Sequence, residues 1–269
     1  MSLAARKWPV TSHTLKWVAI VAMVIDHIGV ISYDWLGWGM PYLFPRFIGR
    51  TALPLFAFLL AEGFRHTRSR WAYLRNLLIF AVISEFPYDL IDNGLNAPFS
   101  SQNIFWALAL GLLAMMGAEA IVRQGDKRSV PRPVTLLCAL IPMTAALCAG
   151  EVIKIDYHYW SVLLIVMVYG GEAVASFLIR DNMTPQTARN LGAAVAAVLW
   201  MILYDIVHGW TNEIYGFPAA FLILLYNGER GQYRLPKWFF YGFYPAHFLI
   251  LHALRLTVLP WLFGPGHFR

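Results

Sequence analysis

An all-α bundle of transmembrane helices, a single domain over residues 1–269, is the fold class this sequence predicts. Three observations carry the prediction. Apolar runs near twenty residues long recur through the chain, and each is long enough at a rise of about 1.5 Å per residue to cross a hydrocarbon core about 30 Å thick. Only 13% of the residues are charged, where soluble domains carry about 25%. The lysines and arginines gather in alternate connections, as they do in a chain that crosses a bilayer repeatedly. A mean hydropathy of +0.55 agrees. An outer-membrane barrel is excluded, because its strands would alternate polar and apolar residues.

Length and flanking residues divide the chain into about nine spans. The first, about Thr14–Ser32, is the apolar run that starts at Leu15 behind Lys16. The second, Phe44–Phe64, ends in the basic segment Glu62-Gly-Phe-Arg-His-Thr-Arg-Ser-Arg. The third is Tyr73–Ile91 and the fourth Ile104–Arg123. The fifth, Pro133–Ala149, follows Lys127, Arg128 and Arg132. The sixth, Tyr159–Ile179, follows the polar stretch Asp156-Tyr-His-Tyr. The seventh is Leu191–His208. The eighth, Ile214–Tyr226, is short enough to be a half-span. The ninth is Trp238–Phe263. The 11 Trp and 13 Tyr suit belts at the two interfaces.

Charge then orients the bundle. One set of ends holds Arg6, Lys7 and Lys16; Arg65, Arg68, Arg70 and Arg75; Arg123, Lys127, Arg128 and Arg132; Arg180 and Arg189; Arg230, Arg234 and Lys237. The other set holds little beyond Lys154 and Arg269. The N-terminus is therefore expected in the cytoplasm and the C-terminus outside. The net charge of +6 reflects this bias and gives no reason to expect a nucleic-acid partner. Cys138 and Cys148 fall about 15 Å apart on one helix, too far to bridge, and no metal-binding spacing appears. The first span has no small-residue cleavage site and is expected to remain as an anchor. No internal repeat is evident, which weakens a transporter built on inverted repeats.

Asp26 and His27 are the most informative residues. They lie about 15 Å below Lys16, near the middle of the membrane, where ionisable groups are costly without partners and mark function by default. Neighbours on a helix point about 100° apart, so each needs a partner on another helix. Arg50 or Arg46 is the natural partner for Asp26, and Glu85 for one of the histidines. His247 reaches similar depth in the ninth span and follows Pro245, whose missing N–H can kink the helix and open a hydratable spot. An imidazole there is a candidate general base, with His247 preferred and His27 second. The alternative is that these groups only satisfy one another as interhelical glue. Arg46 reads more simply as a side chain snorkelling to the interface. Arg50, deeper and after Gly49, reads as functional. Arg65, His66, Arg68, Arg70 and Arg230 form a basic rim able to hold phosphates, or to set topology and touch anionic lipid.

Several segments, taken in order, resemble the TraX family of bacterial membrane proteins. They are Leu15-Lys-Trp-Val-Ala-Ile-Val-Ala-Met-Val-Ile-Asp-His-Ile-Gly29; Phe47-Ile-Gly-Arg-Thr-Ala-Leu-Pro-Leu-Phe-Ala-Phe-Leu-Leu-Ala-Glu-Gly63; His66-Thr-Arg68; Ile83-Ser-Glu-Phe-Pro-Tyr-Asp89; Asn103-Ile-Phe105; Asp156-Tyr157; Tyr226-Asn-Gly-Glu-Arg-Gly231; and Phe239-Phe-Tyr-Gly-Phe-Tyr-Pro-Ala-His247. Each is short, and their order makes the resemblance specific. Thr51 and Glu229 depart from the family pattern, and the stretch from about Arg123 to Gly150 matches weakly.

The resemblance implies a multi-pass protein of the bacterial inner membrane that moves an acetyl group from acetyl-CoA to an amine, the pilin N-terminus in the conjugation protein that names the family. Asp26, His27, Arg50, Glu62, Glu85 and His247 are the polar members of the matching motifs. The roles expected of them are a histidine base, an Arg50 oxyanion partner and supporting carboxylates. Arg65, His66, Arg68, Arg70 and Arg230 would hold the cosubstrate, with no metal. A proton-coupled transporter and a non-catalytic conjugation or pilus assembly factor are the competing classes.

Overall fold

The computed structural model describes residues 10–36, 39–91, 99–179, 183–209, 212–232 and 236–263. Of the basic residues used to orient the chain, Arg6, Lys7, Arg180, Arg234 and Arg269 lie outside the described residues.

The helices are α1 (Ser12–Leu36), α2 (Met40–Gly49), α3 (Ala52–His66), α4 (Arg70–Ile91), α5 (Ile104–Lys127), α6 (Arg132–Val152), α7 (Tyr159–Leu178), α8 (Pro185–His208), α9 (Phe217–Leu224) and α10 (Lys237–Phe263), with a 3-10 turn, Glu213–Gly216, before α9. The all-helical transmembrane bundle is as expected. Among the described residues seven helical segments are long and apolar enough to cross a membrane, and α2 with α3 form one of them, Tyr42–His66. Two further helical segments fall outside that set. Helix α4 is long, but Arg70, Arg75, Glu85 and Asp89 make it polar. The 3-10 turn and α9 together run Glu213–Leu224, only about 18 Å at helical rise, which is the anticipated half-span.

Local chemistry sets the ends. Asn103 caps α5, its Oδ1 accepting from Phe105 N at 3.1 Å. Thr184 caps α8 through Thr187 N at 3.2 Å, and Pro185 fills the first turn, where a missing N–H costs nothing. Gly209, at φ 73°, closes α8 in the left-handed conformation that glycine adopts most easily. At the joint of α2 and α3, Arg50 N and Thr51 N still bond Arg46 O and Ile48 O, so the two helices pass over a tight turn without a loop.

The chain alternates between two ends of the bundle. At the basic end the start of α1 meets the loop after α9: Ser12 N donates to Glu229 O at 2.9 Å and Asn227 N to Val10 O at 2.9 Å. At the opposite end Gln102 and Ile155 form a bridge between the loops that precede α5 and α7. The interior is built on small residues. Ala57, Ala61, Ala81, Ala107, Ala193 and Ala197 are fully buried, and Gly171 of α7 meets Gly192 of α8 backbone to backbone. Large apolar groups such as Ile141, Phe177 and Trp261 point outward instead. In lipid no hydrophobic force drives helices together, so close approach through small residues takes over.

Candidate functional site

Asp26 and His27 leave α1 in different directions and find different helices. Asp26 forms an ion pair with Arg46 of α2. His27 Nδ1 lies 2.9 Å from His247 Nε2 of α10. The two rings are 5.1 Å apart between centroids and inclined by only 26°. Phe248 packs on both, at 4.7 and 4.2 Å. One proton must occupy the contact between the two nitrogens, so the tautomers of the rings are linked. His247 is 4% exposed, and its other nitrogen, Nδ1, is buried with no hydrogen-bond partner among the described residues.

Two backbone features place this centre. Gly49 lies against the Asp26 carboxylate, in the space a Cβ would need. Glycine there lets α2 approach α1 closely enough for Arg46 to reach. Pro245 interrupts the hydrogen bonding of α10 two residues before His247.

Toward the opposite end the polar groups continue. Arg50 donates to the Tyr157 hydroxyl, which donates to Glu213 Oε1 at 3.3 Å. Arg50 Nε lies 3.0 Å from the same oxygen, close enough for an ion pair though off the hydrogen-bond direction. Asp205 accepts from Glu213 N and Ile214 N at 2.9 and 3.1 Å, fixing the 3-10 turn. Tyr157 stands in the loop ahead of α7. Burial and the Glu213 carboxylate hold its hydroxyl well above the usual phenol range, so it stays a neutral donor.

At the basic end Glu62 is 5% exposed and takes Arg65 at 2.5 Å, His66 at 3.0 Å and the Tyr226 hydroxyl at 2.9 Å. Arg65 also pairs with Glu172 of α7. Arg70 pairs with Glu119 of α5 and stacks over Phe64 at 4.1 Å. A cavity of about 300 Å³ lies among Arg65, Arg70, Glu119, Tyr169, Glu172 and Arg189. Arg68 and Arg230 are exposed.

Three expectations are corrected here. Glu85 does not pair with a histidine. Its Oε2 accepts from Asn103 Nδ2 at 2.5 Å and Trp106 Nε1 at 2.9 Å, because the α4–α5 connection sets it beside the start of α5, where unpaired donors and the helix dipole favour a carboxylate. Arg46 is not a snorkelling group but the partner of Asp26, since the closeness of α2 to α1 at Gly49 puts it within reach. Arg50, the other candidate for Asp26, is instead held by Tyr157 and Glu213. The basic rim is also less uniform than the sequence suggests: acidic residues from α3, α5 and α7 engage Arg65 and Arg70, leaving Arg68 and Arg230 exposed. Glu213 is not among the residues singled out from sequence, and Tyr157 stands there only as part of the polar Asp156-Tyr-His-Tyr stretch and of the matching Asp156-Tyr157 segment, with no role of its own. A lone acid at the head of the short eighth span was the available signal for Glu213.

A helical bundle that crosses a membrane many times and holds a histidine pair and an ion pair between its helices is a polytopic membrane protein with an internal polar centre. The family model described as TraX protein matches residues 11–255, and the chain belongs to that family. It is 30% identical over 254 residues, covering 90% of this chain and 94% of the relative, to a probable fimbrial assembly protein FimC, serogroup H1, from Dichelobacter nodosus. No solved structure matches the chain.

Proposed function

We propose that this protein is a bacterial inner-membrane acetyltransferase that moves an acetyl group from acetyl-CoA to an amine of a protein acceptor. The observation that carries the reading is the hydrogen-bonded pair of His27 and His247, packed between α1 and α10. A neutral imidazole hydrogen-bonded to a second ring keeps a nitrogen lone pair that can accept a proton from a reacting amine. In the reaction the amine nitrogen attacks the thioester carbonyl. The histidine pair takes the proton that the nitrogen loses. The carbon–sulfur bond then breaks, and the proton passes to the departing thiolate to give coenzyme A. Arg46, held next to this pair by Asp26, takes over the oxyanion role first assigned to Arg50. Glu62 belongs to the rim that shapes the basic end.

Acetyl-CoA enters from that basic end, which faces the cytoplasm in the proposed topology. Its phosphates meet Arg68, His66 and Arg230 at the surface, with Arg65 and Arg70 behind them. The family resemblance supports a pilin N-terminus or similar amine as acceptor. The name of the Dichelobacter relative, a probable fimbrial assembly protein, supports an acceptor within a surface filament.

The test uses purified chain in liposomes with radiolabelled acetyl-CoA and candidate filament subunits, and mass spectrometry to find one added acetyl group. His247→Ala is expected to remove most turnover while the protein keeps its helicity and still binds acetyl-CoA. Label transfer undiminished in both His247→Ala and His27→Ala rules out the histidine mechanism. Filament assembly that needs the protein but leaves every subunit unacetylated points to a non-catalytic assembly role.

A further inference from the structure

Glu85 has one oxygen too many for its partners. It is 7% exposed, and its two side-chain donors, Asn103 Nδ2 and Trp106 Nε1, converge on Oε2. Oε1 is buried and has no partner among the described residues. A buried carboxylate oxygen without a donor costs free energy and calls for an explanation. The donors themselves are locked in place. Asn103 also bonds Ala81 O at 2.7 Å and caps α5 through Phe105 N, so neither donor can swing across to Oε1.

The surroundings identify what is missing. Helices α4 and α10 run parallel, with Phe80 stacked on Tyr241 at 5.2 Å and Tyr88 edge-on to Phe248 at 5.7 Å. That register sets Glu85 level with residues 244–246, within one helical turn of His247 along the bundle axis. Phe105 packs on Tyr244 at 5.0 Å, and Trp238, at the basic end of α10, lies 6.0 Å from Phe80. Aromatic rings of α4, α5 and α10 therefore pack around the level of that carboxylate oxygen. Ring faces and a carboxylate together select a cation that carries N–H donors on an apolar body.

We propose that Glu85 Oε1 docks the primary amine of the acceptor, an ammonium group on an aromatic or aliphatic body, and holds it beside the histidine pair. This rests on the acetyltransferase reading. Docked as an ammonium, the group gives up one proton to bulk water before its nitrogen can attack, and the histidine pair takes the second, which the nitrogen loses as the amide forms and which passes to the thiolate.

Glu85→Gln is the informative variant. Its carbonyl oxygen still accepts from Asn103 and Trp106, while its NH2 takes the place of Oε1, so a donor replaces the acceptor without a change of size. The experiment measures equilibrium binding of radiolabelled phenethylamine to the full chain in detergent, without acetyl-CoA, with phenethyl alcohol as neutral competitor. Glu85→Gln is expected to weaken amine binding by about 10- to 100-fold, the loss of one charge-assisted hydrogen bond, and to leave the alcohol's affinity unchanged. Equal amine affinity in the two proteins overturns the proposal. Should Glu85→Gln fail to fold, the unaltered chain is labelled with dicyclohexylcarbodiimide and mapped by peptide mass spectrometry. Phenethylamine is expected to slow modification of Glu85, and labelling unaffected by saturating amine overturns the proposal. Amine docking at Glu85 without acetyl transfer sinks the acetyltransferase reading alone. Acetyl transfer with an unchanged KM for the amine in Glu85→Gln sinks the docking proposal alone.

Discussion

Breaking the Asp26–Arg46 pair from one side only is expected to cost far more than removing both charges. In Arg46→Met, Asp26 loses its ion-pair partner, and its Oδ1 has no hydrogen-bond partner among the described residues to begin with. Removing one member of a buried pair costs about 3–5 kcal/mol, and for this partly buried pair, with side chains 21% and 15% exposed, the loss is expected near the low end of that range. Asp26→Asn is expected to cost less, about 1–3 kcal/mol, because the Arg46 side chain is 21% exposed and its long stem lets the guanidinium move toward the interface. The double variant removes both charges and is expected near the original stability, since replacing a buried pair as a whole is often close to neutral. The interaction term of the cycle should therefore exceed about 2 kcal/mol, where polar pairs between membrane helices average about 0.6 and reach about 1.7 kcal/mol. The assay is reversible unfolding in mixed detergent micelles, followed by helicity. A coupling at or below about 0.6 kcal/mol, with both single variants as stable as the parent, refutes the claim that this pair ties α1 to α2.

Gly49→Ala puts a methyl group where the Asp26 carboxylate lies, so α2 must move outward. The expected loss is about 1–3 kcal/mol of stability, together with most acetyl transfer, and a variant of full stability and activity removes Gly49 from the argument. For the cosubstrate, Arg68→Ala and Arg230→Ala should raise the KM for acetyl-CoA without loss of stability, and added salt should do the same because exposed charges are screened. Arg65→Ala strips Glu62 and Glu172 of their shared partner, so its expected signature is instability of about 3–5 kcal/mol, read by the same unfolding assay. A reporter fused after Arg128 should read cytoplasmic and one at the C-terminus external, and a cytoplasmic C-terminus breaks the proposed orientation.

The spans were legible in the sequence because they are a local property. Each stretch must satisfy its own backbone and match the thickness of the hydrocarbon, so length and composition suffice to find it. The short eighth segment was legible on the same ground, as a short apolar helix at Glu213–Leu224. Asp26 and His27 were legible as residues needing partners on other helices, because adjacent positions on a helix cannot face the same neighbour. The partners were not. His27 meets a histidine 220 residues away, Arg46 rather than Arg50 meets Asp26, and Glu85 turns to Asn103 and Trp106. Those choices depend on how each helix is rotated and how closely it approaches the next. Rotation and approach are set by where small residues such as Gly49 leave room between helices. Room of that kind exists only once the helices are assembled, so the sequence by itself determined which groups are buried and the tertiary structure decided which of them meet.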